Sequence, residues 1–237
     1  MATNLDIQGL VFDVGGTVID WHGTVSSELA AFGKRKGFER DWAVVANSWR
    51  KQALQGVRAL KPPTGKTNID HIHRATLDPV LAEFGLTGVT EQEKHELTMG
   101  WHKLAAWPDA VEGHARLKRK FVVSALTILS TSLMIDVSRL APFHWDCVIS
   151  CEMLGRYKPD PLTYQRASEL LAIPSGKLLF VAAHNFDLIA AKAEGYHTAF
   201  IRRTAEHGTG AGPTPEPDAS VDLVATHMLD LATQLGA

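Results

Sequence analysis

Hydrophobic and polar positions along the 237-residue chain fall into two regimes. A short apolar run at residues 7–12 ends in Asp13 and is followed by Gly15, Gly16 and Thr17, the pattern of a buried strand entering a tight turn. From about residue 26 to 102 the spacing becomes helical, at 26–32, 42–54, 68–84 and 91–104, with Ser26 and Ser27 as cap of the first helix. No strand pattern interrupts this block, and the turn-rich strings KPPTGKT (61–67) and GLTG (85–88) divide it. After Trp107 and Pro108 the two patterns alternate: helix 110–118, strand 121–126, helix 132–140, strand 147–150, helix 161–171, strand 178–182, helix 188–194 and strand 197–201. Alternation of this kind calls for βαβ crossovers and a parallel sheet.

The expected fold class is therefore α/β: a doubly wound parallel-sheet, Rossmann-like core from residues 1–20 and 106–237, with a helical cap domain inserted at 21–105. GTGAGPTPEPD (208–218) reads as a loop, and a last helix at 225–234 is expected to pack on the sheet edge. No internal repeat is present.

Composition narrows the function. With 45% hydrophobic and 21% charged residues the chain can bury a substantial core. A net charge of −2, from 24 basic and 26 acidic residues, leaves no electrostatic footprint for nucleic acid or an anionic membrane, so a small diffusible partner is expected. Two cysteines, Cys147 and Cys151, supply neither a disulfide framework nor a zinc site, which suits a reducing cytoplasm. The N-terminus lacks a signal-peptide pattern, and the apolar stretch 121–135 carries five Ser/Thr residues, so no membrane span is expected.

Asp13, Thr127, Lys158 and Asp187 all lie where strands should end or helices begin, and in a doubly wound sheet such positions converge on one crevice. A carboxylate opening a Gly-rich turn suits a nucleophile, because backbone N–H groups surround it. Lys158, in GRYKPDP, could keep Asp13 ionised and neutralise a bound carboxylate, whereas Asp187 alone would pass for a helix N-cap.

VFDVGGTV, the strand ending at Thr127, YKPDPLTY and LLFVAAHNFDLIAAKAEGYHTAFIRR resemble, in this order, the four motifs of the haloacid dehalogenase superfamily, specifically its L-2-haloacid dehalogenase (type II) branch. The resemblance covers essentially the whole chain and includes NSWRKQ, similar to the segment that supplies an arginine, here Arg50, to receive the leaving group. It implies that Asp13 attacks C2 of a small 2-haloalkanoic acid, a carboxylate substrate, with inversion, and that the aspartyl ester is then hydrolysed to the 2-hydroxy acid. Thr17 and Thr127 would hydrogen-bond the nucleophile or substrate, Lys158 would stabilise charge, and Asp187 with His184 or Asn185 would orient or deprotonate water. Tyr164 matches the tyrosine of the third motif. No cofactor is implied, and the family commonly dimerises, so a homodimer is expected.

The chain departs from the pattern at two positions. Gly15 replaces the second aspartate that the phosphatase branch uses as acid and Mg²⁺ ligand, so neither phosphoryl transfer nor a metal is expected. Dehalogenases of the branch more often have an aromatic residue there, and glycine is expected to enlarge or reshape the pocket. Ile128 replaces a common asparagine and substitutes an apolar wall. These changes keep open a ring-opening hydrolase of azetidine-2-carboxylate using the same attack, and a non-catalytic binding module of the same fold. Of Trp49, Trp101, Trp107 and Trp145, only Trp49, beside Arg50, is expected to line the substrate pocket. PTGKT lacks the first glycine of a phosphate loop, and His71 and His73 lie on different helix faces, so both histidines are expected to be solvated or capping.

Overall fold

The computed structural model describes residues 5–208 and 215–237, so the expected 208–218 loop falls largely outside the described residues. The chain opens with β1 (Gly9–Phe12) and a two-residue strand β2 (Ile19–Asp20), and then enters helices α1 (Trp21–Lys36), α2 (Trp42–Ala59), α3 (Ile69–Glu83) and α4 (Glu91–Met99). A 3-10 turn (Gly100–Lys103) and β3 (Ala105–Ala106) lead out of this block. Next come α5 (Ala110–Lys118), β4 (Val122–Thr127), α6 (Thr131–Leu140), β5 (Cys147–Ser150), a single turn α7 (Cys151–Leu154) and α8 (Pro161–Leu171). The chain ends with β6 (Leu178–Ala182), α9 (Asn185–Ala193), β7 (His197–Ile201), β8 (Leu223–Ala225) and α10 (Met228–Gln234).

Six strands form one parallel sheet in the order β5-β4-β1-β6-β7-β8. From β1 the chain steps outward to β4 and β5, then returns to the other side of β1 as β6. That reversal puts a crevice at the carboxyl ends of β1, β4 and β6. All residues of β1 and β6 are buried, as expected of central parallel strands covered on both faces. Each large apolar side chain so buried stabilises the fold by about 1.5–3 kcal/mol before chain entropy is counted.

Several boundaries differ from expectation for identifiable reasons. Helix α1 starts at Trp21, not near Ser26, because Asp20 Oδ1 accepts from Gly23 N at 2.8 Å; Ser27 instead returns its hydroxyl to Gly23 O at 2.8 Å. Helix α9 begins at Asn185, so Asp187 sits in its first turn rather than capping it. The expected 225–234 helix is shorter, because its first residue closes β8. Helix α10 packs against α5, where Met228 fits over Gly113.

The inserted helices enclose aromatic side chains rather than exposing them. Trp21, Trp49 and Trp101 are buried, and His73 stacks on Trp101 with centroids 3.9 Å apart. His71 completes a capping box with Asn68, so the expectation of a solvated or capping role holds for His71 and fails for His73, whose surroundings push its imidazole down to about 3, chiefly through burial. No helix among the described residues is long and apolar enough to cross a membrane.

Candidate active site

Asp13 leaves the sheet directly after β1, and its amide N–H donates to Val181 O on β6 at 2.9 Å, so the carboxylate projects from the carboxyl edge of the sheet. The turn behind it is pinned from outside: Trp107 Nε1 donates to Gly16 O at 2.9 Å and Arg203 Nε to Thr17 O at 2.8 Å. Thr17 donates its hydroxyl to Asp13 Oδ2 at 2.8 Å while accepting from Ala183 N at 2.9 Å, which ties the Asp13 turn to the end of β6.

Lys158 bridges two carboxylates. Its Nζ donates to Asp13 Oδ1 at 2.7 Å and to Asp187 Oδ2 at 2.5 Å, and all three side chains are buried. Tyr164, fully buried on α8, donates its hydroxyl to Asp187 Oδ1. The other oxygen of Asp13 faces a second cation: His184 Nδ1 stands 3.2 Å from Asp13 Oδ2, and His184 Nε2 stands 2.8 Å from Glu206 Oε1.

These pairings decide the charge states. Burial alone would raise the Asp13 carboxyl, but Lys158 and then His184 outweigh it and hold it far below the usual carboxylate range. Asp187 is displaced the other way: burial raises it, Lys158 opposes, and the charge on Asp13 adds to the rise. Burial would lower His184, but Glu206 and Asp13 pull it up to about 10, so it is an imidazolium near neutrality. Lys158 is likewise raised, the two carboxylates outweighing burial.

The structure brings most of the expected residues together. Arg50 is buried, its guanidinium 5.4 Å from the Trp21 ring, and its Nη1 has no hydrogen-bond partner. A Cβ placed on Gly15 would stand 3.1 Å from Arg50 Nη2. The room gained by having glycine at this position is taken up by the guanidinium, so of the two expectations, a larger or a reshaped pocket, the arrangement fits the second. Two open clefts reach the site, one of about 450 Å³ bordered by Asn47, Arg50, Arg58 and His207, the other of about 240 Å³ bordered by Arg58, Thr64, Tyr157 and Lys158.

Other expected residues are placed differently. Trp49 donates its indole N–H to His73 O at 3.0 Å and packs edge-on to Trp101, so it lies inside the helical block and lines neither cleft. Asn185 turns both ends of its amide toward the 216–218 segment, through Glu216 O at 2.7 Å and Asp218 N at 3.0 Å, and away from Asp13. Thr127 is buried at the end of β4 with its hydroxyl accepting from Leu129 N at 3.1 Å, and Ile128 packs partly buried against the core. Glu206 was not anticipated; its only sequence signal is its place just beyond a strand, 197–201, whose carboxyl end faces the crevice.

The residues present do not fit a divalent cation: the ammonium of Lys158 already occupies the space between Asp13 and Asp187 and offsets part of their charge. Among the described residues no group of three or more His, Cys, Asp or Glu side chains is arranged to hold a metal ion.

The model of the haloacid dehalogenase-like hydrolase family matches residues 7–195. The crystal structure of a defluorinating L-2-haloacid dehalogenase is 34% identical, covering 100% of this chain and 99% of that one with a TM-score of 0.90. That of another L-2-haloacid dehalogenase is 33% identical, covering 97% and 99% with a TM-score of 0.88. The (S)-2-haloacid dehalogenase H-109 of Pseudomonas putida is 25% identical over 218 residues, 88% of this chain and 92% of that protein.

Proposed function

Because the chain belongs to the haloacid dehalogenase-like hydrolase family, we propose that it hydrolyses the carbon–halogen bond of small 2-haloalkanoic acids through a covalent ester on Asp13. The observation that carries this reading is the state of Asp13: a buried carboxylate kept ionised by Lys158, with an unpartnered Arg50 N–H buried nearby. An ionised carboxylate stripped of water is a competent carbon nucleophile, and a guanidinium can receive the departing halide. The relatives named as 2-haloacid dehalogenases support the substrate class.

In this reading an Asp13 carboxylate oxygen attacks C2, the carbon–halogen bond breaks and halide leaves toward Arg50. Thr17 holds the second oxygen, and Lys158 anchors the first and compensates charge. Water then adds to Asp13 Cγ, the ester opens, and the 2-hydroxy acid departs with one proton released to solvent. The basic borders of the clefts, Arg50, Lys51 and Arg58, draw a carboxylate anion inward. Residues 21–105 act as a cap over residues 1–20 and 106–237, carrying Arg50 to the nucleophile. The reading includes a homodimer, supported by the family resemblance, and a cytoplasmic setting, supported by the free cysteines Cys147 and Cys151.

The test is halide release from (S)-2-chloropropionate, with 2-hydroxypropionate of inverted configuration as co-product. A single turnover in heavy-oxygen water should label the Asp13 carboxylate and leave the product unlabelled. Asp13→Asn should abolish turnover and keep the fold. Absence of halide with any short haloacid, or solvent oxygen in the first-turnover product, would refute the proposal.

A further inference from the structure

Hydrolysis of the ester requires a group that can take a proton from water at Asp13 Cγ, and few candidates touch Asp13. Among the described residues, the side chains that hydrogen-bond its carboxylate are those of Thr17, Lys158 and His184. A hydroxyl and an ammonium committed to two carboxylates are poor bases near neutrality, which leaves the imidazole. Asp187 is a weaker choice: it is fully buried, Oδ2 is bonded to Lys158 and Oδ1 receives the Tyr164 hydroxyl.

The imidazole is also built into place. Its far nitrogen meets Glu206 Oε1 at 2.8 Å, and that same oxygen accepts Trp21 Nε1 at 3.1 Å. Glu206 is 7% exposed and lies against the backbone of the nucleophile turn: a Cβ on Gly16 would sit 2.1 Å from its Oε1. The segment carrying it is clamped by Arg203, which bonds Thr17 O at 2.8 Å and Asp109 Oδ1 at 2.7 Å. A nucleophile, a ring within reach of it and a buried acid orienting the ring make up the arrangement by which proteins activate hydrolytic steps on unrelated folds.

We propose that Asp13, His184 and Glu206 act as a relay in which His184 deprotonates the water that hydrolyses the Asp13 ester, and Glu206 fixes the ring's tautomer and orientation. His184 is thus a catalytic residue and Glu206 a positioning residue; the assignment rests on the aspartyl-ester reading. In the free enzyme the imidazolium donates Nδ1–H to Asp13 and Nε2–H to Glu206. Esterification removes the charge on Asp13, one of the two acids that hold the proton on the ring. His184 then releases its Nδ1 proton to solvent and keeps the Nε2 proton toward Glu206. The bare Nδ1 takes a proton from water as the water oxygen bonds Asp13 Cγ, forming a tetrahedral adduct. The bond from Cγ to the substrate oxygen breaks, and that oxygen takes the proton from Nδ1 and leaves as the hydroxyl of the 2-hydroxy acid. The remaining carboxylic acid proton passes to Nδ1, restoring the imidazolium and the Asp13 carboxylate. One water is consumed, and one proton and one halide are released.

The experiment follows the two steps separately in the full chain, by rapid quench with (S)-2-chloropropionate and by mass analysis of the Asp13 peptide. His184→Asn is expected to release halide in a single burst equal to the enzyme present and to accumulate the ester, with hydrolysis slowed about 10²–10⁴-fold. Glu206→Gln is expected to slow hydrolysis at least tenfold while leaving the burst, and Glu206→Asp to recover part of the rate. The acid limb of the hydrolysis step should also move to lower pH in Glu206→Gln, because the ring loses its remaining carboxylate partner. Among the described residues the other titratable groups around that ring are Asp13 on the nucleophile turn, His207 beside Glu206, whose imidazole burial pushes down, and Arg50 from α2, and the variant retains all of them. Should His184→Asn fail to fold, as judged by circular dichroism, the Glu206→Gln limb decides alone. Wild-type hydrolysis in His184→Asn, loss of burst and ester together, or an unmoved acid limb would overturn the relay. Failure of the ester reading itself would look different, since the wild-type chain would then give neither halide nor adduct.

Discussion

Replacing Lys158 with methionine removes one positive charge and keeps most of the side chain's length, so it isolates the electrostatic role of the bridge. At 2.7 and 2.5 Å the two contacts are worth about 6 kcal/mol each at an effective dielectric near ~20, and most of that offsets the dehydration of three ions. What the substitution leaves is two buried carboxylates with no cation between them, a situation that costs about 3–5 kcal/mol. Against a total stability of about 5–15 kcal/mol the variant should fold, with a melting temperature lower by roughly 10 °C. Asp187, already raised by burial, should then take up a proton on folding. A group whose folded pKa lies above its unfolded value adds stability as pH falls through the folded pKa, so the deficit relative to wild type should shrink between pH 7 and about 5. Urea unfolding of both proteins at several pH values measures this. A deficit below about 1 kcal/mol, or one that widens on acidification, would refute the assignment of Lys158 as the counter-charge of the pair.

Two further outcomes follow from the same geometry. Tyr164→Phe strips Asp187 Oδ1 of its donor inside a dry site and should cost about 1–3 kcal/mol of stability, read from the urea midpoint; a shift under about 0.5 kcal/mol would mean that the hydroxyl is dispensable. Gly15→Ala would push Arg50 by a few tenths of an ångström, because the new Cβ stands 3.1 Å from Nη2. Turnover should fall about tenfold with the melting temperature nearly unchanged, and a lowered melting temperature with full turnover would place the strain elsewhere.

The sheet was legible because its strands are short, continuous apolar runs bounded by turns: the spans at 147–150, 178–182 and 197–201 are those observed. Strand β8 escaped notice because three residues, one of them exposed, carry too little pattern, and β2 and β3 are two residues each. Within the site, Asp13, Lys158 and Asp187 stood out since strand ends converge by topology alone, and the structure brings them within hydrogen-bonding distance. Asn185 and Trp49 looked similar in sequence to their neighbours, but helix phase decides direction: starting α9 at Asn185 turns its amide outward, and the phase of α2 sends Trp49 to His73 while Arg50 lies over Trp21. Glu206 could not be read locally, because its partners Trp21 and His184 are 185 and 22 residues away.

The ribbon β2–β3 has a practical consequence for the architecture. Asp20 pairs with Ala105 and Ile19 with Ala106 in antiparallel register, so the strand entering the helical block lies beside the strand leaving it. A two-residue reverse turn spliced from Asp20 to Ala105 would close this ribbon as an ordinary hairpin. None of the six main-sheet strands comes from residues 21–104, so excising that block breaks no hydrogen bond of the main sheet. The helical block therefore joins the chain of the main sheet at one junction, and the strand that leads to Asp13 takes its register from β4 and β6 alone.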